Sequence, residues 1–305
     1  MPLVTSKEML EAALEGHFAV GAFNANNMEQ IQGIIDAAVE ERSPVILQVS
    51  QGAINYVGLS LATAMVKTAA EEATVPVVLH LDHGASFEQN VTCLRAGFTS
   101  LMFDGSKLVY DENVRITRKI VEMSSVVGIP VEAELGKVLQ SRDNVSEADV
   151  RAAMTDPDQA ADFVERTGIS SLAVAIGSVH AMEAAEAELD IDRLKAIRAK
   201  VNIPLVLHGS SGVKESSEVE AIQYGISKIN VATMLNQAFI KGILDGYAAN
   251  PANIDPRKWL ALSRDGVKEV VRQKMRLFGS SGKATASGFV SPATSHRSAE
   301  LGHLE

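Results

Sequence analysis

Eight short runs of β-branched and aliphatic residues, each followed by a longer stretch with apolar side chains at helical spacing, set the tightest limit on what this chain can fold into. The runs cover residues 19–25, 45–50, 75–83, 100–105, 130–136, 171–177, 203–210 and 228–233. Helical stretches between them include 28–41, 61–73, 113–127, 157–167, 191–200 and 215–224. A strand, an amphipathic helix and a second strand make a parallel pair with a crossover, and eight such units close into an α/β fold of the (β/α)8 TIM barrel type. An open doubly wound sheet shares the alternation, but it carries a glycine-rich dinucleotide turn after its first strand, and GAFNANN at 21–27 is no such turn. Val267, Val270, Val271 and Met275 share one face of the stretch 259–278, which adds a C-terminal helix outside the repeat. One barrel domain over residues 1–284 follows, with 137–153 as a polar loop and 285–305 as a C-terminal tail rich in small polar residues.

Composition narrows the function classes. At 305 residues and 46% hydrophobic the chain can bury one large core. A net charge of -10 argues against a nucleic-acid partner, which needs a concentrated basic face. The single cysteine, Cys93, cannot form an internal disulfide, the first residues form no basic leader, and no apolar run reaches membrane-spanning length. A cytoplasmic protein with no membrane partner is expected.

In a barrel of this kind the active site forms at the C-terminal ends of the strands. Polar residues gather there: Asn24, Ser50, Asp82 with His83, Asp104, Glu134, His180, His208 with Gly209 and Ser211, then Asn230 and Thr233. Three histidines from different strand ends, His83, His180 and His208, can converge on one metal ion with a position left open, the pattern of a catalytic zinc site. His80 shares a strand with the site and fits a supporting partner; His17, His296 and His303 lack this placement. The loops HGSSG at 208–212 and NVAT at 230–233 follow the seventh and eighth runs, where backbone N–H groups and a helix N-terminus can hold a phosphate. No lysine stands among the strand termini, which disfavours a Schiff-base mechanism.

With AFNANN, HLDHG, FDGS, VEAELG, AVAIGSVH, IPLVLHGSSGV and KINVAT in order, the chain resembles the class II fructose-bisphosphate and tagatose-bisphosphate aldolases from about residue 4 to residue 284. Ala232 in NVAT looks more like the tagatose branch. The resemblance implies a lyase that reversibly cleaves a ketose 1,6-bisphosphate to dihydroxyacetone phosphate and an aldehyde through a zinc-stabilised enediolate. By it, His83, His180 and His208 are the zinc ligands, and Asp104 and Glu134 form a second zinc position. Asp82 moves the C4 hydroxyl proton, Asn24, Ser50 and Asn230 contact the dihydroxyacetone-phosphate half, with Asn230 counted among the catalytic residues, and Gly209, Ser211 and Thr233 take its phosphate. It also implies a monovalent cation near the phosphate and a homodimer or homotetramer.

Two stretches depart from the family pattern. After VEAELG the loop reads KVLQSRDNVSEADV, with Leu139 and Gln140 in place of a glycine pair and Arg142 where a proton-exchanging glutamate is expected. Asp143 or Glu147 can take that role, and Arg142 can meet an anionic acceptor group. After His180, Ala181 replaces the usual glycine and MEAAEAEL lacks the family's basic turn. A divergent lyase for another phosphorylated or anionic ketose, or a non-catalytic sugar-phosphate-binding subunit, therefore stands beside the aldolase expectation.

Overall fold

A computed structural model describes residues 3–141, 146–180, 187–285 and 288–289. Arg142, Asp143 and Ala181 lie outside the described residues, as does nearly all of the expected tail. The eight expected strands are present: β1 Val20–Asn24, β2 Val45–Ser50, β3 Val77–Asp82, β4 Leu101–Phe103, β5 Val131–Leu135, β6 Ser171–Val174, β7 Leu205–Leu207 and β8 Ile226–Val231. All pair in parallel, in the order β3-β2-β1-β8-β7-β6-β5-β4. The two ends meet: Leu81 N–H donates to Ser100 O at 3.1 Å and Ser100 N–H to Leu79 O at 3.1 Å, so β3 and β4 close the ring. The fold is the (β/α)8 barrel that the alternation implies.

Side chains alternate across each strand with a period of two, and this sorts the sequence into outside and inside. Val77, Leu79 and Leu81 of β3, with Val45, Leu47 and Val49 of β2 and Val131, Ala133 and Leu135 of β5, join the apolar layer between strands and helices. The inward residues stack in three tiers. At the bottom Val20, Ile46 and Val78 pack on Met9, Leu10 and Ala13 of the Ser6–Glu15 helix, which plugs that end of the barrel. Above them sit Gln48, His80, Glu132 and Lys228, all buried. At the top, two residues further along the same strands, stand Ser50, Asp82, Glu134 and Asn230.

The C-terminal helix spans Pro256–Leu277 and buries Val267, Val271 and Met275. It lies so close to the Met28–Glu41 and Thr233–Ala249 helices that a Cβ on Gly33 would come 2.7 Å from Arg264 O, and one on Gly242 2.5 Å from the Ser263 backbone. Glu41 receives Arg272 and Arg276 at this seam, at 3.0 and 2.7 Å. The described residues of 137–153 hold regular structure where a polar loop is expected: Leu139–Gln140 pairs with Val179–His180, and a Ser146–Asp149 capping box opens a Glu147–Ala153 helix.

Candidate active site

A cavity of about 750 Å³ opens at the C-terminal ends of the strands. It is lined by Asn24, Ser50, Asp82, His83, Asp104, Glu134, His180, Gly209, Ser211, Asn230 and Thr233. His208 is fully buried just beneath, its ring centroid 4.7 Å from that of His83. The sequence-predicted site residues among the described ones therefore meet at one place, except Glu147, which is exposed and lies outside the cavity wall.

The chain reaches this geometry through local backbone devices. His83 follows β3 with φ of 49°, in the left-handed region that costs a non-glycine residue strain, and the turn brings its imidazole to the cavity. Gly84 then runs so close to β4 that a Cβ would lie 2.2 Å from Met102 O. Gly209, at φ of 68°, turns the chain after β7.

The three imidazoles face one another at centroid distances of 4.7, 5.3 and 6.1 Å. One ring nitrogen from each lies within 4.8 Å of the others, and the same holds for His83 with Asp104 and Glu134. His83 Nδ1 is 2.9 Å from Asp104 Oδ2, while Ser106 N–H and Oγ–H hold the other Asp104 oxygen at 3.1 and 2.6 Å. Enclosure alone would lower the His83 pKa, but the Asp82 and Asp104 carboxylates push it up to about 10. His180 goes the other way, down to about 3, because of burial and then the neighbouring His83 charge. The cluster thus favours positive charge but cannot protonate all its rings, and it offers borderline nitrogen donors backed by carboxylates. This donor set fits a divalent transition metal.

Asp82 sits beside the cluster with both oxygens engaged. Asn24 Nδ2 donates to Oδ2 at 2.7 Å, and Asn230 Nδ2 donates to Oδ1 at 3.2 Å. Burial would raise its pKa, but the His83, His208 and Lys228 charges and the Asn24 hydrogen bond hold it below the ordinary carboxylate value. It is therefore held in its ionised, hydrogen-bond-accepting form.

The β7 and β8 loops form the opposite wall. Ser210 Oγ–H donates to Asn230 O at 2.6 Å, which ties the loops together, and Ser211 lines the cavity. The Thr233–Ala249 helix starts here without a side-chain cap; the Leu235 N–H turns back to Ala232 O at 3.0 Å, and the helix N-terminus at Thr233 faces the cavity, where its dipole favours an anion beside Gly209.

The tier beneath was missed at strand-end positions. Lys228, fully buried, reaches Glu132 Oε2 at 2.9 Å and Asn230 Oδ1 at 2.7 Å. Glu132 Oε1 is 2.9 Å from His208 Nε2, and Glu134 Oε2 is 3.1 Å from His208 Nδ1. Gln48 Nε2 donates to Asn24 Oδ1 at 2.7 Å. His80 Nδ1 meets Ser100 Oγ at 2.8 Å, and Ser100 meets Ser6 Oγ, also at 2.8 Å. Burial, then the Lys228 charge, pulls the His80 pKa to about 3 and keeps it neutral. A lysine in the barrel does exist, but it is paired with Glu132 and is not part of the cavity wall, so it is poorly placed for a Schiff base.

The family described as Fructose-bisphosphate aldolase class-II matches residues 4–283. The chain is 48% identical to a fructose-bisphosphate aldolase of Geobacillus stearothermophilus, over 93% of this chain and 99% of that one. It is 44% identical to a fructose-bisphosphate aldolase of Thermus caldophilus, over 92% of this chain and 100% of that one. Its fold matches the crystal structure of the YdjI aldolase from Escherichia coli K12 with a TM-score of 0.82 at 38% identity, over 93% of this chain and 100% of that one. The chain therefore belongs to the class II fructose-bisphosphate aldolase family and is an aldolase, a carbon–carbon lyase.

Proposed function

We propose that this aldolase is zinc-dependent and cleaves a ketose 1,6-bisphosphate of the fructose or tagatose type to dihydroxyacetone phosphate and an aldehyde. The observation that carries the proposal is the placement of Asp82, held by two amides, beside three convergent imidazoles and across one cavity from an uncapped helix N-terminus. The catalytic unit is the single barrel of residues 1–284.

Zinc held by His83, His180 and His208 supplies a Lewis acid for the oxygens of the ketose, and Asp104 with Glu134 offers a second position. The chain does the rest. Gly209, Ser211 and the first turn from Thr233 bind the C1 phosphate, with a monovalent cation beside it, and Asn24 and Ser50 orient the donor half. Asp82 takes the C4 hydroxyl proton; the C4–O bond becomes the aldehyde carbonyl as the C3–C4 bond breaks, and its electron pair moves toward C2. Asn230 keeps the Asp82 carboxylate aimed during this transfer. Release of dihydroxyacetone phosphate needs a proton returned to C3, a role for Asp143; Glu147, the other candidate, is exposed and is not part of the cavity wall.

A second proposal, a lyase for a ketose with a different anionic end, rests on the rim after β4 and β5. Lys107 and Lys137 line the cavity there, and β4 lies four strands from β8 in either direction around the ring, so this rim faces away from the phosphate loops. Arg142 would add to that charge. Exposed Ile240, Leu244 and Tyr247, four and three residues apart on one helix, support a homodimer or homotetramer. No described helix is long and apolar enough to cross a membrane; a cytoplasmic location belongs to the proposal.

The test is cleavage of fructose and tagatose 1,6-bisphosphates, and of ketose 1-phosphates ending in a carboxylate, with coupled detection of dihydroxyacetone phosphate. Cleavage of a bisphosphate supports the first proposal. Turnover confined to the carboxylated sugars moves the assignment to the second, and no turnover of any of them counts against both.

A further inference from the structure

The Lys228 ammonium touches both halves of the site from behind. Toward the imidazoles it lies 2.9 Å from Glu132 Oε2 and 3.2 Å from Oε1, and that same Oε1 is 2.9 Å from His208 Nε2. Toward the proton-transfer group it lies 2.7 Å from Asn230 Oδ1, and the other end of that amide donates to Asp82 at 3.2 Å.

We propose that Lys228 is a positioning residue that sets His208 and Asp82 together, through Glu132 on one side and through Asn230 on the other. An asparagine amide between an ammonium and a carboxylate has only one satisfied orientation, oxygen to the cation and NH2 to the anion. Lys228 therefore fixes which end of Asn230 faces Asp82, as Gln48 does for Asn24. On the other side, Lys228 pairs with Glu132 in a buried place, and the carboxylate so fixed lies against the Nε2 edge of the His208 ring, which sets the ring's orientation. The other ring nitrogen, Nδ1, lies 3.1 Å from the cavity-lining Glu134, on the side of the ring that faces the site. A lysine used only for packing would explain neither contact, because both its partners are polar groups one step from the chemistry.

The inference rests on the metal-aldolase proposal, so the wild-type protein is the first arm of its test: it must bind zinc in a competitive chelator titration and cleave its substrate. The second arm is Lys228→Met, with apo-protein zinc affinity, kcat and KM measured separately. Supporting groups of this kind cost about 10–100-fold when removed. The expected result is a loss of that size in kcat with KM little changed, together with a loss of about 10-fold or more in zinc affinity. Lys228→Arg, which keeps the charge and the donors, should recover most of both. The double variant Lys228→Met/Glu132→Gln removes the buried charge yet keeps an oxygen against the Nε2 edge of His208. It should regain zinc affinity and remain slow in kcat. If Lys228→Met does not fold, the double variant decides alone: wild-type kcat in it overturns the proposal. Wild-type zinc affinity and kcat in a folded Lys228→Met would overturn it as well. A wild-type protein that neither binds zinc nor cleaves would instead count against the metal-aldolase proposal itself.

Discussion

The two polar tiers inside the barrel look alike in composition and differ in what they face. The upper tier, Ser50, Asp82, Glu134 and Asn230, lines the cavity and can touch a substrate. The lower tier, Gln48, His80, Glu132 and Lys228, is closed off from it; Lys228 and Glu132 pair with each other, and the tier's other hydrogen bonds go to Asn24, His208 and Asn230 above or to Ser100. An ordinary barrel fills such a layer with branched apolar side chains. Here a charge pair replaces them, and breaking a buried pair of this kind by removing one partner costs about 3–5 kcal/mol. The difference teaches how the proposed mechanism divides the barrel: the strand ends face the cavity where the chemistry is proposed, and the position two residues earlier holds them in place.

That division can be broken experimentally. The largest effect is expected from His208→Ala, which removes one of the three imidazoles: bound zinc, counted by elemental analysis, should fall well below one per chain, and cleavage should fall below detection. Asp82→Asn should leave zinc bound but lower kcat by about 10²–10⁴-fold, the range for losing a general base. Retention of zinc together with loss of turnover is what separates proton transfer from metal binding within the upper tier. The smallest effect is expected from Ser50→Ala. Ser50 Oγ accepts from Ala53 N–H at 3.2 Å as a helix cap, so its loss should lower unfolding stability by about 1 kcal/mol in a denaturant titration and raise KM modestly. A wild-type unfolding curve for that variant would mean that the cap carries no weight.

The upper tier was legible in the sequence because a barrel strand ends at a definite place, and HLDHG, VEAELG and KINVAT each put a polar residue there. Of the lower tier, only His80 stood out in the sequence, as a supporting partner on a strand of the site. Lysine and glutamate in the middle of a strand read as a weak start or an exposed face, and so β8 was expected to begin at 228 although it begins at Ile226. The available signal was periodicity: Gln48, His80, Glu132 and Lys228 each stand two residues before an upper-tier residue and so point the same way. Strand-end residues alone could exclude a Schiff-base lysine only at the termini, and it took the Glu132 pairing to account for Lys228. The Phe87–Ala96 helix supplies the crossover after β3, although half of its residues are polar and it buries only Asn90 and Cys93. The Ser146-x-x-Asp149 capping box was a missed helix start within the stretch taken as a loop.

Strip the protein with a chelator and return zinc in measured fractions while following cleavage of the best substrate. The expected result is an inactive stripped protein whose activity rises in proportion to zinc and levels off at one ion per chain. Full activity in protein shown to hold no metal would contradict a catalytic centre built on His83, His180 and His208.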